Sequence, residues 1–508
     1  RNQSSGDGKI MSRKNGGIIG PANTPVGGIV TGVAGGVWRM NDLLNFVGNS
    51  QWPKTPENIE NSCRFDDGSS DSLTRTFGSA GNKDTFTLSA WVKRAALTTA
   101  MTIFGGGADD NNRLVISFGN SDDFRVTDVN SGSGTAVIAT NRLFRDVSAW
   151  YHIVVAYDTT QSTDSDRVKL YVNGVQETSF ASTNYPSQNA DQKINDAVGH
   201  FIASNKPSSP SNYFDGYMAE VVFIDGQQLT PSSFGETDST TGIWKPKKIG
   251  QIANAGTNSF YLNFKDSSNV GKDESGLNNN FTVNNLTSID QSTDTCVENF
   301  CTQHPLSYRS GQTVPTYSDG NLKAVFAAGV NTFSYGTLGV QAGKWYWEVK
   351  VTFGSNVYTG IGFASAATNT DINGYLLRQT GQKYNTSGSA SSYASALSTG
   401  DTVMVAFDAD NGTLWFGVNG TWSNSATQSE IENGTTSNSA FSSIDMSSIW
   451  LPLSKGGTSS NSNIQANFGN PIYSISSGNS DANGFGNFEY AVPSGYYALN
   501  TSNLNTYG

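Results

Sequence analysis

Apolar and polar residues alternate in short runs over most of this chain. Thr85-Phe-Thr-Leu-Ser-Ala-Trp-Val-Lys93 and Arg113-Leu-Val-Ile-Ser-Phe118 show the two-residue period of half-buried strands. Trp150 to Tyr157 and Arg167 to Val172 continue the pattern, and the latter runs straight into Asn173-Gly174. Asn-Gly between two such runs predicts a tight hairpin, because both turn residues must take positive φ. Tyr213 to Ile224 is a further strand, closed by Asp225-Gly226. A second set begins with Gly343 to Val351 and Tyr358 to Ala364. Gly400 to Gly420 reads as a strand, a turn at Asp410-Asn411-Gly412 and a return strand, and Leu451 to Leu453 and Ala466 to Gly469 close the set. Short strands separated by Gly, Asn and Asp turns predict an all-β protein of two antiparallel jelly-roll or bent β-sandwich domains.

The pattern divides the chain into five segments. Residues 1–60 are a Gly-rich arm followed by a short helical segment, Gly35 to Phe46, and 61–236 are the first sandwich. Residues 237–330 form a turn-rich β connector with one clear strand at Phe260 to Phe264; 331–475 are the second sandwich, and 476–508 a tail that adds little chemistry. The stretch from Asn15 to Trp38 carries no charge, but its eight glycines with Pro21 and Pro25 exclude a spanning helix. It reads as an extended arm without a signal peptide. Its apolar side chains, Ile18, Ile19, Ile29, Val30, Val33 and Trp38, need burial against something, and a neighbouring subunit is the expected cover.

Composition sharpens this picture. Only 14% of residues are charged and 55 are Gly, which argues against long solvated helices, while 11% aromatic residues argue against disorder. The formal net charge of −11 makes nucleic-acid binding an unlikely partner class, and no membrane insertion is expected. Three cysteines, Cys63, Cys296 and Cys301, make no disulfide scaffold. Cys296 and Cys301 with His304 fall short of a metal set, so ordinary reduced thiols are expected, consistent with assembly in a cytoplasm.

Candidate chemistry is sparse. Glycoside hydrolysis needs two carboxylates across the scissile bond. Glu220 and Glu348 each stand alone on a strand, and His152 sits mid-strand between Tyr151 and Ile153 as a structural imidazole. No nucleophile elbow, phosphate loop or His-rich metal motif appears, so no enzyme is expected. Binding is expected on loops. Asp109, Asp110, Asn111 and Asn112 gather oxygen ligands at a strand connection, suited to calcium or sugar hydroxyls, or to a solvated turn. Asp273 to Phe281 has a calcium-loop flavour but lacks the spacing and closing Glu of an EF-hand. No cofactor is expected beyond a structural Ca2+. Asn356, Tyr358, Tyr375 and Arg378 bring the aromatic and Arg types of interface anchors; Tyr358 reads equally as strand-end packing.

Phe-Thr-Leu-Ser-Ala-Trp-Val, Trp-Tyr-His-Ile-Val-Val-Ala-Tyr, Val-Lys-Leu-Tyr-Val-Asn-Gly and Phe-Asp-Gly-Tyr-Met-Ala-Glu-Val-Val-Phe-Ile-Asp, in that order, resemble a laminin-G/concanavalin-A-like jelly roll. Such domains bind glycans or proteins, and some hold calcium. Gly-Lys-Trp-Tyr-Trp-Glu-Val-Lys-Val with its following strands resembles a SPRY domain, which implies binding of protein partners without catalysis. Glu348 falls in a recurrent motif of that domain. The Ile-Ile-Gly-Pro arm, the Asp-Glu-Ser-Gly-Leu-Asn-Asn-Asn-Phe connector and the Pro-Ser-Gly-Tyr-Tyr-Ala-Leu-Asn-Thr tail make the whole layout similar to structural proteins of marine bacteriophages. That resemblance implies a tail-fibre or adhesin component on the virion exterior or tail. Its expected partners are other virion proteins, further copies of itself (a homo-oligomer, trimeric in one reading) and a host-surface glycan or protein. A capsid-decorating protein and a glycan-degrading enzyme are the alternatives.

Overall fold

In the computed structural model the alternating runs become two stacked pairs of antiparallel sheets. The model describes residues 59–508 except 207, 240, 250–251, 253, 307–312, 329–331, 354–356, 364–372, 386–388 and 458–460. The expected arm, with Ile18, Ile19, Ile29, Val30, Val33 and Trp38, and the helical segment after it lie outside the described residues.

Thr85–Arg94 is central to one sheet of the first sandwich, between Tyr151–Asp158 and Gly216–Asp225. The facing sheet runs through Ser133–Leu143, Asp123–Asn130, Asn112–Phe118, Met101–Asp109, Gly199–Ile202 and Ser72–Thr76. Asn173 and Gly174 take φ of 48° and 80°, as the tight turn between Val168–Val172 and Val175–Gln176 requires. Phe86, Leu88, Ile116, Phe118, Phe223 and Phe260 fill the space between the sheets.

Segment 237–330 supplies strands to this sandwich. Phe260–Leu262 pairs with Gly216–Asp225, Thr282–Asn284 with Ser72–Thr76, and Gln291–Ser292 with Ser62–Phe65. Strands of two or three residues are too short for a periodic signal, and their position is set by pairing with distant edges.

In the second sandwich Lys344–Phe353 lies between Thr402–Asp408 and Ser462–Asn467. The facing sheet runs Thr332–Tyr335, Leu451–Gly456, Val357–Phe363, Asn373–Arg378, Gln382–Asn385, Ala390–Ser392. Trp345, Trp347, Val405, Phe407 and Phe416 form the core between them. The tail is more than the quiet extension its sequence suggests. Tyr497–Ala498 adds in parallel to Lys344–Phe353, and Phe488 and Tyr496 pack with Tyr346, Met404 and Trp415 in a separate buried layer. Fully buried Glu348 ties it down, accepting hydrogen bonds from Tyr346 Oη (2.9 Å), Asn467 Nδ2 (3.2 Å) and the backbone N–H groups of Glu489 (3.0 Å) and Tyr490 (2.8 Å). Four donors on one carboxylate compensate its desolvation and give this lone strand acid a structural task.

Ile59–Gly508 is one compact unit, and a buried polar seam joins its two sandwiches. Lys93 Nζ bonds Asp294 Oδ2 at 2.8 Å and Asn299 Oδ1 at 2.7 Å, and Trp150 Nε1 donates to Asp294 Oδ1 at 3.1 Å. Both ion-pair side chains are almost fully buried. Tyr217 Oη donates to Gly320 O at 2.9 Å, and Asn321 Nδ2 to Ala95 O at 2.9 Å. Gly320, at φ 64°, lies so close to the Tyr217 hydroxyl that a Cβ has no room.

Carboxylates gather at the same seam. Phe65 is registered with Gly216 at the end of its ladder, and beyond it Asp66 and Asp67 lie near Asp215. The backbone N–H of Asp319, from the second sandwich, points at Asp66 Oδ1 at 3.5 Å. Asp71 Oδ2 accepts the Asp66 N–H at 2.9 Å, and burial, with Asp290 and Asp66 adding like charge, pushes its pKa up to about 6. Burial, then neighbouring Asp67, Asp66, Asp319 and Asp71, raises Asp215 well above the usual carboxylate range. Among the described residues, two ion pairs touch this group, Lys323–Asp319 at 3.8 Å and Arg64–Asp290 at 3.6 Å.

Two outcomes are expected at this seam. Lys93→Met leaves Asp294 buried without its cation and costs about 3–5 kcal/mol in urea unfolding. Lys93→Met combined with Asp294→Leu recovers most of that loss; no recovery would show that the seam does not depend on the pair. For Asp71, a folded pKa above the unfolded value of about 4 contributes stability below that value, and the contribution is lost as pH rises through 6. Asp71→Asn is therefore expected to raise the melting temperature by about 2–4 °C near pH 7.5 and to change it little near pH 4.5. Equal calorimetric shifts at both pH values would remove Asp71 as the source.

Candidate functional site

Strand alternation decides what the six-stranded sheet of the second sandwich shows on each face. Val357, Ile361 and Leu377 point into the core, so Tyr358, Leu376 and Arg378 point out. Pairing then lines up side chains from separate parts of the chain. Phe333 is registered with Lys455, Lys455 with Tyr358, and Tyr358 with Arg378. The Lys455 ammonium lies 4.9 Å from the Tyr358 ring centroid and 5.3 Å from that of Phe333. The Arg378 guanidinium lies 5.2 Å from the Tyr358 ring and 5.6 Å from that of Tyr384, and the two tyrosines meet edge to face at 5.9 Å. These contacts hold both cations upright against the sheet. Lys455, Tyr358, Arg378 and Tyr384 are all half-buried.

Neither cation has a carboxylate within 4.0 Å among the described residues. Arg378 Nη1 donates to Gln382 Oε1 at 3.4 Å, a neutral partner. Burial, and then the charge of Arg378, lowers the Lys455 pKa. The chain's acids outnumber its bases 42 to 31, so an adjacent pair of cations without an acid is a departure from its general balance.

The other predicted site residues are placed differently. Tyr375 is three positions from Arg378 and on the opposite face, where it packs against Phe441 and Trp450 at 4.9 and 5.4 Å. Asn356 lies outside the described residues. Asp109, Asp110, Asn111 and Asn112 form the turn between Met101–Asp109 and Asn112–Phe118. There Asp109 Oδ1 accepts the Asn111 N–H at 2.7 Å, and both Asp109 oxygens accept from Asn112 Nδ2. Asp110 accepts the Ser208 N–H at 3.0 Å and the Ser209 hydroxyl. Both carboxylates are engaged in holding loops, and among the described residues no three His, Cys, Asp or Glu side chains are grouped to hold a metal ion. Asp273 likewise organises its own loop, accepting from the N–H groups of Tyr261, Ser275 and Asn279.

The histidines and cysteines are built in. Trp244 Nε1 donates to His152 Nδ1 at 3.0 Å, so the ring proton sits on Nε2, which donates to Ser89 Oγ at 2.9 Å. Burial between Trp91 and Trp244 pushes its pKa down to about 3. His200 accepts the Asn195 N–H on Nε2, and burial pushes it down to about 4. All three cysteines are free thiols, and burial raises Cys301 to about 11. Glu220 occupies a β-bulge at φ 51° and accepts from Tyr261 Oη at 2.5 Å. No helix among the described residues is long and apolar enough to cross a membrane.

Tyr358 and Arg378 were legible as anchor types, whereas Lys455 and Tyr384 were not singled out. Their one signal is position: each belongs to a strand whose neighbours alternate toward the core.

No curated protein matches the chain. Among solved structures, the SPRY domain of human HERC1 is 16% identical, with 32% of this chain and 96% of that chain covered at a TM-score of 0.25. Domain 4 of the GH43 extracellular arabinanase AbnA from Geobacillus stearothermophilus, solved with arabinotriose, is 25% identical over 30% of this chain and 65% of that chain, with a TM-score of 0.23. Domains LG4-5 of the mouse laminin α1 chain are 10% identical over 80% and 84%, with a TM-score of 0.28. Residues 67–233 match the model of the concanavalin A-like lectin/glucanases superfamily, and residues 344–435 match that of the SPRY domain. The chain thus carries a laminin-G/concanavalin-A-like domain followed by a SPRY domain.

Proposed function

We propose that this chain is a non-enzymatic structural protein of a bacteriophage particle, a tail-fibre or adhesin-type component that recognises a glycan or protein on the host surface. The observation that carries the recognition reading is the Lys455–Tyr358–Arg378 row, two half-buried cations stacked on aromatic rings with no carboxylate partner among the described residues. Support for its setting comes from the lectin-type match of the first sandwich and from the chain-long resemblance to phage structural proteins. Repeated copies convert individually weak sites into avid attachment when several engage together. The apolar residues of the Gly-rich arm then serve assembly with other virion proteins and with further copies of the chain, as in a trimer.

Two measurements test this. Immunogold labelling of intact particles is expected to decorate the tail at several copies per particle; label spread over the capsid surface would favour a decorating protein and overturn the adhesin assignment. Deletion of residues 12–37 is expected to convert the oligomer to monomer in sedimentation while the main thermal transition persists. An unchanged oligomer would remove the arm from assembly.

A further inference from the structure

The Lys455–Arg378 pair carries a more specific assignment, which rests on the recognition reading above. We propose that the outer face of the six-stranded sheet in the second sandwich binds an extended acidic peptide of a protein partner. Its carboxylates at alternate positions would be taken by Lys455 on one side of Tyr358 and Arg378 on the other.

The geometry favours a dianion. Lys455 and Arg378 stand on strands separated by one strand, so their backbones are about 9.6 Å apart. Both head groups pack on the ring between them, at 4.9 and 5.2 Å from its centroid, so Tyr358 sits between the two charges. Alternate side chains of an extended peptide are about 6.8 Å apart. A peptide crossing the strands therefore sets one carboxylate on each cation, with the guanidinium fork available for a bidentate contact. Gln382, bonded to Arg378, steadies the fork from the far side. Among the described residues neither cation has a carboxylate partner, so a bound carboxylate displaces no ion pair there.

The same geometry argues against a sugar. Stacking of a pyranose needs an open aromatic face. The Tyr358 ring is approached by both Lys455 and Arg378, and the Tyr384 ring by Arg378. A net charge of −11 also repels a long polyanion, whereas a short acidic segment meets the local field of two cations before the general repulsion.

The test uses the full chain and a fluorescein-labelled Ser-Glu-Ser-Glu-Ser peptide, followed by anisotropy. Its Ser-Gln-Ser-Gln-Ser counterpart and a heparin-derived tetrasaccharide are run in parallel. Binding of the Glu peptide is expected to weaken about tenfold or more with Arg378→Gln and with Lys455→Gln. Arg378→Lys should fall between, because it keeps the charge and loses the fork. Lys265→Gln, on the first sandwich, should have no effect, and melting curves should show every variant folded. Equal binding of the two peptides, or indifference to both Gln variants, would overturn the site. Arg378- and Lys455-dependent binding of the tetrasaccharide without the peptide would overturn the ligand class and leave recognition standing. Absence of any anion binding by particles that still attach to host cells would sink this assignment alone, whereas failure of attachment by particles carrying the chain would count against the function itself.

Discussion

The ion pair between Lys93 and Asp294 is the interaction on which the arrangement of this molecule turns. It is nearly free of solvent, so neither charge is tolerable without the other. Asp294 belongs to the segment that leaves the first sandwich; Asn299, which also binds Lys93, accepts the Thr501 N–H on its carbonyl and donates its own N–H to the Thr501 hydroxyl. A lysine in the middle of one sheet thereby gathers the connecting chain and the C-terminal helix Thr501–Tyr507. Apolar contact alone is permissive about how two sandwiches lie against each other. Directional bonds at Lys93, Tyr217 and Asn321 select one arrangement.

A chain with so few charged residues uses several of them as internal fasteners. Glu348 receives four donors, two of them backbone groups of the tail. Asp481 similarly accepts from the N–H groups of Asn483, Phe485 and Ala498 and from Asn503 Nδ2. Arg64, buried beside the seam, donates to Ile289 O at 2.7 Å and Pro471 O at 3.4 Å, residues from either sandwich. Set against these engaged groups, the Lys455–Arg378 pair is distinctive. Aromatic rings hold it, and among the described residues no acid does.

Much of the architecture was legible because antiparallel sandwiches need period-two alternation on nearly every long strand. Thr85–Arg94, Gly216–Asp225, Lys344–Phe353 and the Asn173-Gly174 turn could be read directly. Ser133–Leu143 was harder, since three exposed residues stand at each of its ends. Phe260–Leu262 was visible as a strand, whereas the short strands at Thr282–Asn284 and Gln291–Ser292 had no period to show. Acidic loops are ambiguous in sequence for a different reason. Asp109, Asp110 and Asp273 look like ion ligands in sequence, and Asp and Asn side chains that cap backbone N–H groups in turns have the same composition.

Local pattern therefore settled the strands, the two sandwiches and the reduced cysteines, because side-chain period, turn chemistry and cysteine count are properties of neighbouring residues. Which side chains share a face across strands was decided by register, a property of hydrogen bonds between segments far apart in the chain. Lys455 reaches Tyr358 only because Leu451–Gly456 pairs with Val357–Phe363, and Tyr375 leaves the group because three positions along a strand reverse its direction. The seam at Lys93 has the same origin: a lysine within an apolar run signals nothing until folding brings Asp294 to it.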